Sequence, residues 1–216
     1  KLVAVPVKDL AGDHVQVTVP IIGAPCLVRV WKVALGRIQL FLLDTDHEDN
    51  PGALRSITGR LYGGGPDTRI RQELVLGVGG VRALRKLGLT PTVYHLNEGH
   101  SSFLNLERMH ELREAGHAHN LQEAIASIRV SSVFTTHTPV EAGHDRFSPE
   151  LTWAALRWFA DTFELSKLEL LALGRWPDET HQDTPFNMTL LALHTCDRLN
   201  GVAALYGEVS RTMFSR

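Results

Sequence analysis

Residues 92–96 (TVYHL) and 131–137 (SSVFTTH) are two short runs rich in β-branched and aromatic residues, as is typical of strands. The residues between them have helical character: one helix is predicted up to about Ala115 and another over 121–129. Asn120 and Glu123 have the spacing of a capping box that would begin the second helix. Strands separated by helices pair in parallel through crossovers, so this stretch predicts an α/β fold, a parallel sheet flanked by helices on both faces.

The segments on either side differ in character. Before the α/β stretch, residues 1–45 are β-rich, with predicted strands HVQVTVP (14–20), CLVRVWKVAL (26–35) and RIQLFLLD (37–44) and a tight turn at Gly36. These strands could be an antiparallel extension of the same sheet. A polar connection follows, and then a helix is predicted from Asp67 to about Gly88 by apolar residues three and four apart.

The C-terminal third is predicted to be entirely helical. Ser148 before Pro149, and Thr184 before Pro185, each have the pattern of a helix N-cap followed by proline. The predicted organisation is therefore a β-rich segment (1–45), a β/α core (67–147) and a helical segment (148–216).

Composition excludes several classes of protein. The 216 residues are 44% hydrophobic and 21% charged with a net charge of −2, values of an ordinary globular protein without attraction to polyanions. Two distant cysteines indicate neither a disulfide scaffold nor a thiolate zinc site. The sequence has neither a long apolar run nor the pattern of a signal peptide, so we expect a cytoplasmic protein. The way the chain starts and stops suggests a fragment.

Polar side chains follow both strands of the α/β stretch. In parallel sheets, ligands bind outside the carboxyl ends of the strands, where HLNEGHSS (95–102) and THTPVEAGHDRF (136–147) are expected. The alternative is a pair of ordinary solvated loops. The groups in these loops that could bind or titrate are His95, Asn97, Glu98, His100, His137, Glu141, His144, Asp145 and Arg146.

Other motifs favour structural explanations. Five histidines lie between residues 95 and 119, but HELRE (110–114) lacks the second histidine of a zinc motif, and DTDHEDN (44–50) lacks the glycine of a calcium loop. Asp44 and Asp46 form a DxD triplet, more simply explained as turn acids. GVGG (77–80) follows a helical pattern instead of a strand, so its glycines indicate close helix packing. Arg69 is either a ligand-binding cation or an ion-paired helix residue.

Several motifs in order resemble the α-glucan phosphorylases, in particular the shorter bacterial and archaeal branch of the glycogen and maltodextrin enzymes. The most specific are HLNEGH and TTHTPVEAGHDRF. The others are LLDTD, LYGGG, TRIRQE, LGVGGVRAL, FNMTLLAL and NGVAALYGEVSR. The resemblance implies a GT-B fold with a Rossmann-like N-terminal domain, of which this chain would be the latter part.

The resemblance also implies an activity and a cofactor. The family releases glucose 1-phosphate from α-1,4-glucans by phosphorolysis, with pyridoxal phosphate bound by a C-terminal domain that this sequence lacks. The implied partners are α-1,4-glucan and inorganic phosphate, with a homodimer as a further possibility and no nucleic acid, membrane or metal. We expect this chain alone to be catalytically silent.

Five positions match sugar-site residues of the family, and a sixth, Asn97, is expected to orient the HLNEGH turn. His137 matches the active-site histidine that contacts the transferred glucose, and residues 138–146 match a loop that borders the glucan channel. The matches in and beside the acceptor pocket are Arg69, Glu98, His100 and Asp145.

The sequence departs from the family pattern at two positions and leaves other functions open. Gly65 stands where the family usually has an acid, and Tyr206 replaces a histidine. The first departure puts a polar contact near the active-site gate in doubt. The alternatives are a GT-B sugar-nucleotide glycosyltransferase such as a glycogen or starch synthase, a non-catalytic glucan-binding module and, more remotely, a zinc hydrolase.

Overall fold

The chain forms two compact units, residues 1–90 and 91–216. The structure, a computed structural model, describes residues 3–61, 64–137, 140 and 143–215. None of the described helices is both long and apolar enough to cross a membrane.

The first unit contains an antiparallel sheet of four strands: β1 (Val5–Pro6), β2 (Gln16–Ile21), β3 (Ala24–Leu35) and β4 (Ile38–Asp44). β3 pairs with each of the other three. The three strands predicted in this region are confirmed. The sheet is not an extension of the parallel sheet: among the described residues its strands hydrogen-bond to one another, β2 and β4 each to β3. The turns that join these strands place Gly23 and Gly36 at positive φ.

A short helix α1 (Gly52–Arg55) follows, and then one continuous helical rod. The rod consists of α2 (Pro66–Leu74), a π-helical segment (Val75–Gly79) and α3 (Gly80–Lys86). A Cβ on Gly79 would lie 3.0 Å from Val19 Cγ2 of β2. Gly79 of GVGG therefore serves the close packing of helix on sheet that the sequence indicated, whereas a Cβ on Gly80 would meet no atom within 4 Å.

The second unit confirms the predicted α/β class. Its parallel sheet has the order β5 (Tyr94–Asn97), β6 (Ser132–Thr136), β9 (Arg198–Gly201), and β7 (Arg146–Phe147) pairs antiparallel with β8 (Phe186–Asn187). The helices of this unit are α4 (Phe103–Glu114), α5 (Leu121–Arg129), α6 (Pro149–Thr162), α7 (Lys167–Ala172), α8 (Met188–Thr195) and α9 (Ala204–Met213).

The two faces of the parallel sheet differ. Leu96 and Phe134 are fully buried, whereas His95 and Asn200 on the other face are exposed and both hydrogen-bond to the Thr135 hydroxyl, at 2.7 and 3.0 Å. One face thus forms the apolar core, and the other carries a row of polar contacts across all three strands.

A buried arginine fastens the amino ends of β5 and β6. Arg108 of α4 donates to the hydroxyls of Ser131 and Ser132, at 2.6 and 2.7 Å, and its guanidinium stacks 3.9 Å from the centre of the Tyr94 ring. The two hydroxyls and the ring thus contact the buried guanidinium, which offsets part of the free-energy cost of removing its charge from water.

Two predicted helix caps are confirmed and one is wrong. Asn120 and Ser148 accept from the backbone N–H groups of Glu123 and Leu151, as expected of N-caps. Thr184–Pro185 begins no helix. Asn187 caps α8 instead, its Oδ1 accepting from the N–H groups of Thr189 and Leu190 at 2.8 and 3.4 Å.

The prediction of an all-helical C-terminal third is also wrong. It missed β8 and β9, two short strands of two and four residues. β9 (RLNG) is mostly exposed and holds a single large apolar residue, so it carries no alternating pattern that would reveal a strand.

Both cysteines, Cys26 and Cys196, are buried free thiols, and burial raises the pKa of each to about 11. They are therefore protonated at neutral pH.

Two facing glycines provide a stability test. A Cβ on Gly201 would overlap the Gly207 backbone nitrogen, whereas a Cβ on Gly207 would meet nothing closer than Arg211 Nη1 at 3.6 Å. We expect Gly201→Ala to lower the free energy of unfolding in urea by about 1–3 kcal/mol, as overpacking does. Gly207→Ala, inside α9, should raise it by up to about 1 kcal/mol. Equal effects would contradict the packing of β9 against α9.

Candidate functional site

The two polar loops predicted as a site begin at neighbouring strand ends. Asn97, the last residue of β5, lies opposite Thr135 of β6 in the parallel register. One residue beyond the strand, the Glu98 N–H donates to the Thr135 carbonyl at 2.9 Å. The residues after β5 and those after β6 therefore start from the same edge of the sheet, as the strand pattern predicted.

The N-terminus of α8 joins the two loops further out. From the first loop, Ser102 Oγ donates to the Met188 carbonyl at 2.9 Å, and a Cβ on Gly99 would lie 3.0 Å from the Thr189 backbone nitrogen. From the second loop, His144 Nδ1 hydrogen-bonds to Thr189 Oγ1 at 2.8 Å, and the Met188 N–H donates to the Asp145 carbonyl at 3.0 Å. Both loops are thus packed against the same turn of one helix.

Glu98 connects the loops directly. Its carboxylate accepts a hydrogen bond from the His137 N–H, which links the first residue after β5 to the first residue after β6. Its backbone has φ 71° and ψ 164°, which is unusual for a residue with a side chain. Glu98 and His137, both predicted to contact sugar, are therefore joined by a hydrogen bond from the His137 backbone to the Glu98 carboxylate.

The other predicted residues of this unit lie around that link. The side chains of Asn97 and His137 are exposed, and those of His100 and Asp145 are half-buried. His100 is in a single turn of 3₁₀ helix (Gly99–Ser101) that starts the loop. The structure therefore brings Asn97, Glu98, His100, His137 and Asp145 to one end of the parallel sheet. Of the loop 138–146, residues 138, 139, 141 and 142 lie outside the described residues, Glu141 among them.

Arg69 belongs to the other unit, on α2. Its Nε lies 3.0 Å from Glu73 Oε1 one turn later, and Glu73 is almost fully buried. Arg71 is paired in the same way with Asp67, at 3.1 Å. The structure thus shows the ion-paired arrangement that the sequence left open, with Arg69 neutralising a buried carboxylate. A ligand-binding role for Arg69 stays a prediction.

Three residues complete the site: His144, one of the loop groups noted from the sequence, and two residues that the sequence analysis did not name, Asn187 and Thr189. His144 is buried, with its ring edge-to-face on Phe214 at 5.2 Å and one nitrogen on Thr189. Asn187 caps α8 and so holds the turn against which both loops pack. The sequence signal for Asn187 was available: a capping residue directly before the apolar run MTLLAL. Thr189 carries no such signal, because its role depends on contacts far along the chain.

A metal centre is not supported by the described part of the chain, which contains no group of three or more His, Cys, Asp or Glu placed to hold an ion. The DxD acids have structural partners: Asp44 Oδ2 accepts from Trp31 Nε1 at 3.1 Å, and Asp46 Oδ1 accepts from Arg55 Nε at 2.7 Å. Asp44 at the end of β4 and Asp46 in the loop after it therefore have structural partners, although neither lies in a turn.

The site does not fit pyridoxal phosphate, whose aldehyde requires a lysine amine. No lysine occurs between residues 87 and 166, the stretch that contains both loops. The next lysine, Lys167, lies 2.5 Å from Glu150 in an ion pair at the start of α7. The loops offer carboxylates, imidazoles and an amide, groups suited to neutral hydroxyls, together with one cation, Arg146.

The packing of Gly99 on α8 yields a prediction. Gly99→Ala places a methyl group 3.0 Å from the Thr189 backbone, which has no flexible atoms to yield. We expect a loss of about 1–3 kcal/mol in the free energy of unfolding and faster amide exchange in residues 143–147. Gly80→Ala, where a Cβ would meet no atom within 4 Å, is the control and should cause neither effect. Unchanged exchange in residues 143–147 would show that α8 does not couple the loops.

Comparison with known proteins finds relatives over nearly the whole chain, although no family model matches it. The maltodextrin phosphorylase of Thermococcus litoralis is 41% identical over 212 residues, which cover 97% of this chain and 24% of that protein. The glycogen phosphorylase of Mycobacterium tuberculosis is 41% identical over 223 residues, 96% of this chain and 25% of that protein. That of Aquifex aeolicus is 32% identical over 213 residues, 97% of this chain and 30% of that protein.

The chain thus spans about a quarter of the length of the first two relatives. The resemblance predicted from HLNEGH and TTHTPVEAGHDRF is confirmed by this similarity. By sequence, the chain is homologous to one segment of the glycogen and maltodextrin phosphorylases.

Proposed function

We propose that this chain supplies part of the glucan site of an α-1,4-glucan phosphorylase, an enzyme that releases glucose 1-phosphate from glycogen or maltodextrin. The chain would be the latter part of a GT-B N-terminal domain. The substrates would be α-1,4-glucan and inorganic phosphate. Pyridoxal phosphate would be bound by residues outside this chain, because the loops described above have no lysine for it.

The observation that carries this proposal is the convergence of two motif loops on one turn of α8. The most specific family motifs, HLNEGH and TTHTPVEAGHDRF, are separated by about 30 residues of sequence. Gly99 and His144, one from each motif, both lie against Thr189. Two motifs that pack against the same helical turn are expected to form one site. The relatives at 41% identity that are named phosphorylases support the proposal that this site binds glucan.

The groups at this end of the sheet suit sugar recognition. A glucose unit offers several hydroxyls, each of which donates and accepts, and a site binds it by placing carboxylate, amide and imidazole groups in fixed directions. Each hydroxyl left unpaired in a closed site costs about 1–3 kcal/mol. We assign the contact with the transferred glucose to His137 and acceptor-site contacts to His100 and Asp145.

The proposal is tested first at the level of the gene. Reading the coding DNA on both sides of this segment shows whether it belongs to a polypeptide with the cofactor lysine. Such a polypeptide should release glucose 1-phosphate from maltoheptaose and phosphate. Dependence on ADP-glucose in place of phosphate would indicate a sugar-nucleotide glycosyltransferase. Maltoheptaose binding without turnover, in a gene lacking the cofactor domain, would indicate a glucan-binding module.

Within that enzyme, we expect His137→Ala to reduce glucose 1-phosphate release at least tenfold. The side chain is exposed, so its loss should change the free energy of unfolding by less than about 0.5 kcal/mol. His117→Ala is the matched control: an exposed histidine in the turn after α4, whose removal should leave turnover unchanged. A fully active or unfolded His137→Ala enzyme would overturn the assignment of His137.

A further inference from the structure

Glu98 is held in a strained backbone conformation. Its φ of 71° with ψ of 164° lies outside the regions that residues with a Cβ favour, at a typical cost of about 1–3 kcal/mol. Glu164, the other non-glycine with positive φ among the described residues, ends a helix at φ 55°, where left-handed residues are common. The strain at Glu98 therefore needs a reason in its surroundings.

The reason lies in the hydrogen-bond pattern of β5 and β6. In a parallel ladder, a residue donates to one partner carbonyl and accepts from the N–H two residues further along. Tyr94 donates to Ser131, and Glu98 donates in the same register to Thr135 at 2.9 Å. The regular continuation would bring the His137 N–H onto the Glu98 carbonyl.

The observed bond goes to the side chain instead. The Glu98 carbonyl is turned away and accepts from Ser101, at 2.9 Å from Oγ and 3.3 Å from the backbone nitrogen. The Glu98 carboxylate takes the position that the carbonyl has left and accepts from the His137 N–H. The strained dihedral angles thus let the main chain leave the sheet at Gly99 while the side chain continues the ladder by one more bond.

We infer that Glu98 is a positioning residue: its carboxylate replaces a backbone acceptor to fix the His137 main chain at the end of β6. For the role of the His137 side chain, this inference rests on the proposed function. The hydrogen bond from the His137 N–H to the Glu98 carboxylate, called the clamp below, does not depend on it. A carboxylate is a stronger acceptor than a peptide carbonyl, which suits it to hold a residue where the ladder ends. In the proposed enzyme, Glu98 therefore affects the substrate by positioning His137. This effect is separate from any direct contact between the Glu98 carboxylate and the sugar.

The clamp is tested in the 216-residue chain by amide exchange of His137, measured by NMR. Glu98→Gln keeps an amide oxygen that can accept the His137 N–H, so exchange should stay within about threefold of the original chain. Glu98→Ala removes the acceptor, and exchange should accelerate at least tenfold. Glu164→Ala is the control, since it changes the other glutamate at positive φ and should leave the His137 amide unaffected.

Glu98→Gly keeps the test decisive if Glu98→Ala does not fold, because glycine adopts this conformation without strain. It should release the His137 amide as Glu98→Ala does while remaining at least as stable. Equal protection of the His137 amide in the Gly and Gln variants would overturn the inference.

Activity separates this inference from the proposed function. In a phosphorylase containing this segment, Glu98→Gln should retain at least ten times the kcat of Glu98→Ala. Equal kcat in the two variants, with amide exchange changed as expected, would reject positioning of a reacting group. If instead exchange responds as expected but the enzyme releases no glucose 1-phosphate under any condition, the proposed function fails and the clamp stands as a structural feature.

Discussion

The close approach of Gly99 to the first turn of α8 is the constraint on which the site depends. A Cβ at position 99 would lie 3.0 Å from the Thr189 backbone nitrogen and 3.2 Å from the Met188 carbonyl carbon, so only glycine fits without movement. Because Asn187 caps the same turn and His144 hydrogen-bonds to Thr189, one helical turn determines where both loops lie.

The β5–β6 pair is fastened at both ends by side chains. At the amino ends, Arg108 donates to Ser131 and Ser132 and covers the Tyr94 ring. At the carboxyl ends, Glu98 accepts from His137. Two short strands of four and five residues have few ladder bonds of their own, and a strained residue persists only where its surroundings over-determine it. Side-chain hydrogen bonds thus constrain the strand pair at both ends, including the end that contains the strained residue.

The sequence predicted what depends on local pattern. Alternating β-branched runs located β2 to β6, and capping residues located the starts of α5 and α6. It missed what depends on distant partners. β9 exists because β6 offers a free edge, not because RLNG favours a strand, and the conformation of Glu98 follows from contacts with residues about 40 positions away. The two motifs were found from the sequence, but the turn of α8 that joins them was not.

The charged and polar groups of the loops indicate which parts of the substrates this segment would contact in the proposed enzyme. Phosphate and a phosphate-bearing cofactor need cations, and the stretch from residue 87 to 166 has no lysine. Arg108 is committed to the sheet, and Arg69 of the other unit neutralises the buried Glu73. Apart from Arg146, the two loops offer imidazoles, carboxylates and an amide, which recognise uncharged hydroxyls. In the proposed enzyme, the segment would therefore hold and orient sugar, and most of the cations for the phosphates would come from residues outside the two loops.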